Sequence, residues 1–181
     1  NIKKSFRKFC ESATHTVIYN GDDENTVDML KGIEGKKLIS YGINESNDYY
    51  AKNIDVPGGF HIEYDVFSKG EFVEHIVLSV PGEHNVLNSL AAFIACIESG
   101  ADKEKVKAAF KDFRGAGRRF ELRGTFKGIT VADDYAHHPK EIEVTLKAAM
   151  KMGYKRVWAV HQPFTYTRTS EFLDEFASVL K

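Results

Sequence analysis

The 181-residue chain is 43% hydrophobic, 28% charged and 12% aromatic, the composition of a globular protein, which excludes disordered, collagenous and fibrous classes. Twenty-five Lys and Arg against twenty-six Asp and Glu leave a net charge of −1, so no global field draws the chain to nucleic acid or an anionic membrane. The longest apolar runs, such as Ala91-Ala92-Phe93-Ile94-Ala95, fall far short of the roughly 20 residues of a membrane span. Neither nucleic acid nor membrane is expected as a partner.

In chain order, Phe6, Phe9, Cys10 and Ala13 recur at helical spacing within Ile2 to Ala13, and Thr16-Val17-Ile18-Tyr19 reads as a strand closed by the turn residues Asn20-Gly21-Asp22-Asp23. A short helix is predicted from Asn25 to Lys31, then a strand at Lys37 to Tyr41. Phe60, Ile62, Tyr64 and Val66 alternate with polar residues, Ser68 to Glu71 makes a turn, and Phe72, Ile76, Leu78 and Val80 resume the two-residue period. That is an antiparallel hairpin with one buried face. Helices follow at Asn85 to Glu98, with Leu87, Leu90, Ala91, Ile94 and Ile97 on its apolar side, and at Lys103 to Phe113.

Arg114-Gly115-Ala116-Gly117-Arg118 has no apolar periodicity, and the domain boundary is placed there, giving units 1–114 and 115–181. Beyond it come strand-like Phe120-Glu121-Leu122, strands Ile129–Ala132 and Arg156–Val160, a helix Lys140–Lys151 and a final helix through Phe172 and Phe176. The fold class is α/β, a mixed sheet with an antiparallel hairpin followed by a parallel, Rossmann-like unit. Cys10 and Cys96 lie far apart and build neither a CxxC pair nor a zinc knuckle, so reduced, buried thiols in the cytoplasm are expected. The chain opens on Asn1 rather than Met and enters a helical pattern at once, without a secretory signal; a piece of a longer protein is expected.

The densest polar cluster, Asp133-Asp134-Tyr135-Ala136-His137-His138-Pro139, follows a strand and precedes a helix, where α/β sheets bind ligands. Pro139 suits a first helical position, and the helix start offers N–H donors to an anion. Of two adjacent acids, one is expected to reach a ligand while the other stabilises the loop. The competing reading has both acids capping turns and both histidines bonding locally. A metal phosphohydrolase built on Asp134, His137 and His138 is a further alternative, although adjacent histidines are not a dedicated metal spacing. No metal site is assigned.

A second cluster is Pro81-Gly82-Glu83-His84-Asn85-Val86-Leu87-Asn88. Asn85 and Asn88 share a helix face, and their amides can read an adenine edge or a ribose. Asn85 is equally suited to cap the helix. Arg118, Arg119 and Arg168 offer guanidinium forks for phosphate or carboxylate, and Arg168 is accompanied by hydroxyls at Thr165, Thr167 and Thr169.

PGEHNVLNSLAA, GAGRRFE, DDYAHHPKEI and QPFTYTRT, in this order, resemble the Mur ligases of peptidoglycan synthesis, and among them those that join L-alanine to UDP-N-acetylmuramate. The tripeptide-recycling members share AHHP but typically lack the QPxxYTRT pattern, and stand as the alternative. The resemblance implies an N-terminal sugar-nucleotide domain, a central ATPase domain and a Rossmann-like C-terminal domain, with this chain covering the later half of the second and the first part of the third. GxxxxGK[ST] is absent from the sequence, so the phosphate loop and the ligands of Mg²⁺ are expected upstream, and this chain alone is expected to be inactive and prone to self-association.

The resemblance assigns His84, Asn85 and Asn88 to the adenine of ATP, Arg119 to its sugar and phosphates, and Asp134 to the ribose and the closed state. Tyr135, His137, His138 and Arg168 match positions near the incoming amino acid and transferred phosphate, with His161 and Thr165 in the same pocket. The family loop commonly reads FQPHxYTRT; here Phe164 stands in the place of the histidine and His161 in that of the phenylalanine. The implied reaction is ATP-driven amide formation through an acyl phosphate, with His137 or His138 as base for the ammonium proton.

Overall fold

The computed structural model describes residues 2–56 and 61–181. Phe60, expected to open the hairpin, lies outside the described residues. Helix α1 (Ile2–Ser12) leads to strand β1 (Thr16–Asn20), helix α2 (Glu24–Leu30) and strands β2 (Lys37–Gly42), β3 (Tyr49–Asp55), β4 (Ile62–Ser68) and β5 (Glu71–Leu78). The strands form one sheet in sequence order: β1, β2 and β3 run parallel, and β3–β4 and β4–β5 pair antiparallel. Strand β3 was not predicted, because Tyr49-Tyr50-Ala51-Lys52-Asn53 has no clean alternation; only Tyr50 and Ala51 in it are buried.

Two cations close helix ends here. Arg7 Nη1 donates to the carbonyls of Met29 (2.7 Å) and Lys31 (2.9 Å), and Lys36 Nζ donates to those of Glu11 and Ala13. Each satisfies carbonyls that a helix leaves unpaired at its C-terminus. At the other end of α2, Asp23 accepts the N–H of Asn25 as N-cap.

Helix α3 (His84–Glu98) lies against β1 to β4, and helix α4 (Lys103–Asp112) against β5. Val86, Leu90, Phe93 and Ile94 form the buried stripe of α3 and meet Ile62, Tyr64, Val66, Ile76 and Leu78 from the hairpin. Leu87 and Ile97, expected on that stripe, sit at its margin, half-buried. Phe72 departs further. Val66 pairs with Glu74 but Phe67 with Phe72, so β5 carries one extra residue there. Such a bulge turns the side chains beyond it to the other face. Phe72 is accordingly exposed and meets Phe67 edge-on at 5.9 Å.

The second unit comprises β6 (Glu121–Phe126), β7 (Ile129–Asp133), α5 (Pro139–Met150), α6 (Tyr166–Glu171) and α7 (Leu173–Val179). Here the expected parallel sheet is corrected: β6 and β7 form an antiparallel two-stranded ribbon, and residues 156–160 form no strand. A strand needs a ladder partner, and Arg156–Val160 has none among the described residues; Val160 is 99% exposed. The expected single last helix is two short ones that break at Phe172. Cys10 and Cys96 are free thiols, half-buried rather than buried. No helix among the described residues is long and apolar enough to cross a membrane.

Candidate functional site

The turn between the two units is held in an unusual shape. Arg118 (φ 57°) and Phe120 (φ 48°), on either side of Arg119, both adopt the left-handed region that costs a non-glycine residue roughly 1–2 kcal/mol. Four hydrogen bonds hold it: Arg119 N–H to the Ala116 carbonyl (3.1 Å), Arg118 N–H to Glu121 Oε2 (2.8 Å), Phe120 N–H to Asp134 Oδ2 (2.8 Å) and Tyr135 N–H to the Arg118 carbonyl (2.7 Å). The segment read as a linker is thus bonded to the loop after β7. Strain that bonding maintains is a pointer to function. Its product is an Arg119 guanidinium with no hydrogen-bond or ion-pair partner among the described residues.

His84 opens α3 across from this turn. Gly82 (φ 94°) makes room for it, since a Cβ there would lie 2.5 Å from His84 Cε1. Desolvation holds the His84 imidazole below its ordinary value; Asp134 pulls it up and Arg119 pushes it down again. His84 is thus under the influence of Arg119 and Asp134, 35 and 50 residues further along the chain. Lys151 at the end of α5 pairs with Glu83 at the start of α3, a second tie between the units.

Asn85 does not cap α3; Glu83 holds that place without a side-chain bond. Asn85 Nδ2 donates instead to the Pro81 carbonyl (2.7 Å), and its Oδ1 accepts from Asn88 Nδ2 (3.2 Å). The pair braces the loop before α3 and leaves the exposed Asn88 Oδ1 and one hydrogen on each amide for a ligand.

Of the two acids, Asp134 carries the loop: besides Phe120 it accepts the N–H of Ala136 at 2.7 Å. The Asp133 side chain pairs, among the described residues, with the exposed Arg118 at 3.4 Å. Arg118 also lies over the Tyr135 ring, 4.9 Å from its centroid. His138 is the N-cap of α5, accepting the Lys140 N–H on Nδ1, with Pro139 in the first turn. Glu141 completes a capping box by accepting the N–H groups of both His137 (3.0 Å) and His138 (3.1 Å). The His137 amide, more than that of His138, holds the Glu141 carboxyl below the usual range against the opposing effect of burial.

Local bonding of both histidines, weighed in the sequence as the competing reading, is what the structure contains. Asp134, His137 and His138 do not converge, and no group of three His, Cys, Asp or Glu among the described residues could hold a metal ion. The metal phosphohydrolase alternative loses its site. By themselves these residues do not fit Mg²⁺.

The last loop carries the remaining candidates. Thr165 stands at the start of α6 without a side-chain capping bond, and Thr165 and Arg168 have no side-chain partner among the described residues. His161, expected in the amino-acid pocket, stacks on Phe176 at 5.3 Å and 21°, while Phe164 is exposed. His138 packs on Phe172 at 4.9 Å, so α6 and α7 join this loop to the start of α5. Sequence reading missed the role of Glu141; its spacing of three from His138 was the available sign, obscured because histidine is a rare cap.

The Mur ligase middle domain family model matches residues 1–96, and the Mur ligase glutamate ligase domain matches residues 118–181. A protein of Caldanaerobacter subterraneus named UDP-N-acetylmuramate--L-alanine ligase is 44% identical over 98% of this chain, which spans 39% of that relative's length. A crystal structure of UDP-N-acetylmuramate-alanine ligase from Thermotoga maritima superposes with a TM-score of 0.80 at 26% identity, over 99% of this chain and 38% of that one. A murein peptide ligase from Psychrobacter arcticus gives a TM-score of 0.64 at 28% identity, over 91% of this chain and 35% of its own. With one family domain matched over more than half its residues and a second over most of the rest, the chain belongs to the Mur ligase family.

Proposed function

We propose that this chain forms the nucleotide-closing and amine-handling part of a cytoplasmic, ATP-dependent ligase that joins L-alanine to UDP-N-acetylmuramate. The observation that carries the reading is the strained turn that presents Arg119, unpaired among the described residues, within electrostatic reach of His84 together with Asp134, between residues 1–114 (read as central domain) and 115–181 (read as C-terminal domain). His84, Asn85 and Asn88 then address the adenine, Arg119 the ribose and phosphates, and Asp134 the ribose and the closed arrangement. A guanidinium that no carboxylate among the described residues neutralises is available to a phosphate. The phosphate loop and the Mg²⁺ ligands come, on this reading, from sequence outside these 181 residues; the ion would offset charge on the transferred phosphoryl group.

Tyr135, Thr165 and Arg168 receive the amino acid, with His161 packed behind them on Phe176. Arg168 suits the carboxylate of L-alanine, and a histidine of the 137–138 pair takes the ammonium proton. The relatives' names support L-alanine as the amine, and the murein peptide ligase keeps a tripeptide as the second reading.

Phosphate release by the full-length ligase, measured with UDP-N-acetylmuramate and either amine, separates the two. Release that requires L-alanine is expected; release with tripeptide but not L-alanine selects the second reading, and release with neither rejects both. The 181-residue chain alone should give no L-alanine-dependent release.

A further inference from the structure

The two units rest on each other lightly. Among the described residues, no helix or strand of residues 1–114 packs broadly against one of residues 115–181. So slight an interface does not fix the angle between two units by burial, and relative movement is their default. Charge crosses between them instead. Lys151, just past α5, donates from Nζ to Glu83 Oε1 at the start of α3, 68 residues away in sequence. Neither side chain has another hydrogen-bond or ion-pair partner among the described residues. Glu83 holds the N-cap place of α3 without bonding the helix through its side chain, and it is the backbone N–H of Lys151, not Nζ, that closes α5. Each charge also suits the helix end that carries it, a carboxylate at an N-terminus and an ammonium at a C-terminus.

From this placement we infer that Glu83 and Lys151 form an electrostatic latch, which holds the end of α5 to the start of α3 and so sets the orientation of the Arg119 turn toward His84, Asn85 and Asn88. The second unit transmits the hold. The Arg119 turn is bonded to Asp134 through the Phe120 amide, and the loop after Asp134 is capped onto α5 by Glu141. A shift at Lys151 is therefore carried to Arg119. Both members of the latch are positioning residues, and neither is assigned to the nucleotide. The pair is more than half exposed, and such a pair shifts an equilibrium by at most about fivefold: enough to bias an orientation, too little to hold a fold together. That the orientation serves ATP rests on the ligase reading above; the latch itself does not.

Two measurements test this. Amide residual dipolar couplings of the 181-residue chain, in low salt and at a concentration where it sediments as a monomer, should fit one alignment tensor for both units. Lys151→Glu sets like charges against each other and should require a separate tensor for each unit, while the couplings within each unit still fit its own fold. The charge swap, Glu83→Lys with Lys151→Glu, should restore the single tensor. Two tensors in the unaltered chain, a single unchanged tensor in Lys151→Glu, or a swap that stays split overturns the latch.

In the full-length ligase, Lys151→Glu should raise the ATP KM about two- to fivefold with kcat and the unfolding midpoint little changed, because apparent affinity falls with the fraction of molecules in the competent arrangement. The swap should bring KM back toward the unaltered value. Lys105→Glu, the same charge change at an exposed position of α4, should leave KM where it was. An equal rise in Lys105→Glu, or no rise in Lys151→Glu, overturns the link between latch and nucleotide. A ligase inactive with L-alanine before any substitution would instead reject the ligase reading, and the couplings alone would then decide the latch.

Discussion

The Asp134 carboxylate accepts the backbone N–H of Phe120 at 2.8 Å, and this bond joins a residue in the left-handed region to the loop that carries both histidines. Phe120 and Arg118 hold their strained conformations because that loop is there to bond them. Asp134→Asn replaces one acceptor oxygen with a donor, so one of the amides of Phe120 and Ala136 loses its partner. A hydrogen bond to a charged group contributes about 1.5–3 kcal/mol, and a loss of that order is expected by denaturant titration. Faster amide exchange at Phe120 should accompany it. Asp133→Asn removes only an exposed ion pair worth about 0–1 kcal/mol. In the full-length ligase Asp134→Asn should likewise impair turnover far more than Asp133→Asn; equal losses would contradict the division of labour.

The second prediction concerns His84. Its imidazole is lowered first by desolvation, then pulled up by Asp134 and pushed down by Arg119. Arg119→Ala should therefore raise its titration midpoint, and Asp134→Asn should lower it, as followed by the His84 ring resonances. The sign for stability follows: a folded state that resists protonating His84 binds fewer protons than the unfolded chain once pH falls below the ordinary histidine range. This contribution is present above that range and is lost as pH falls through it. If Arg119→Ala leaves the midpoint in place, the guanidinium does not face His84. The same substitution should raise the ATP KM of the full-length ligase, with Arg118→Ala milder, because Arg118 is occupied by Asp133 and Tyr135.

Much of this was legible in the residues. Buried stripes announced α3 and the hairpin because burial repeats there at 3.6 and 2 residues. The signal ended where pairing, not pattern, decides. Arg156-Val157-Trp158-Ala159-Val160 has the apolar run of a buried strand, yet among the described residues no strand pairs with it to complete a ladder. Phe72 changed face because of one extra residue that alternation cannot reveal. At the candidate site, sequence order placed Asp134 and Arg119 in separate motifs. The bonding of the Arg119 turn to the Asp134 loop has Arg118 and Phe120 in a conformation that neither residue type favours.

A third prediction comes from the core. Tyr64, fully buried, lies 2.8 Å from Ser89 Oγ, and Ser89 in turn donates to the Val86 carbonyl at 3.0 Å. The tyrosine is therefore the donor of the pair. Ser89→Ala strands a buried hydroxyl and should cost about 1–3 kcal/mol, whereas Tyr64→Phe leaves Ser89 its own bond and should cost about 0.5–1.5 kcal/mol. Burial also pushes the Tyr64 phenol well above its ordinary range, against a smaller downward effect of Ser89. Above a pH of about 10 the unfolded chain ionises this tyrosine and the folded one does not, so stability should fall by about 1.4 kcal/mol per pH unit from this group. Tyr64→Phe should remove that slope; an unchanged slope would mean another group causes the alkaline loss.

The last prediction concerns the chain on its own. Helix α1 has no buried residue: Ile2 and Phe9 are each 74% exposed and Phe6 is 58% exposed. In the sheet, β1 pairs only with β2 among the described residues, which leaves its other backbone edge open. An exposed apolar helix face and an open strand edge each favour association between copies. Sedimentation of the 181-residue chain should show mass rising with concentration. The pair Phe6→Glu and Phe9→Glu touches no core side chain and should leave the fold intact by circular dichroism. Burying one phenylalanine contributes about 1.5–3 kcal/mol, so losing both contacts should weaken association at least about tenfold, by the rule of 1.4 kcal/mol per decade. Identical sedimentation of the double variant would move the contact away from α1, leaving the β1 edge as the surface to be blocked next.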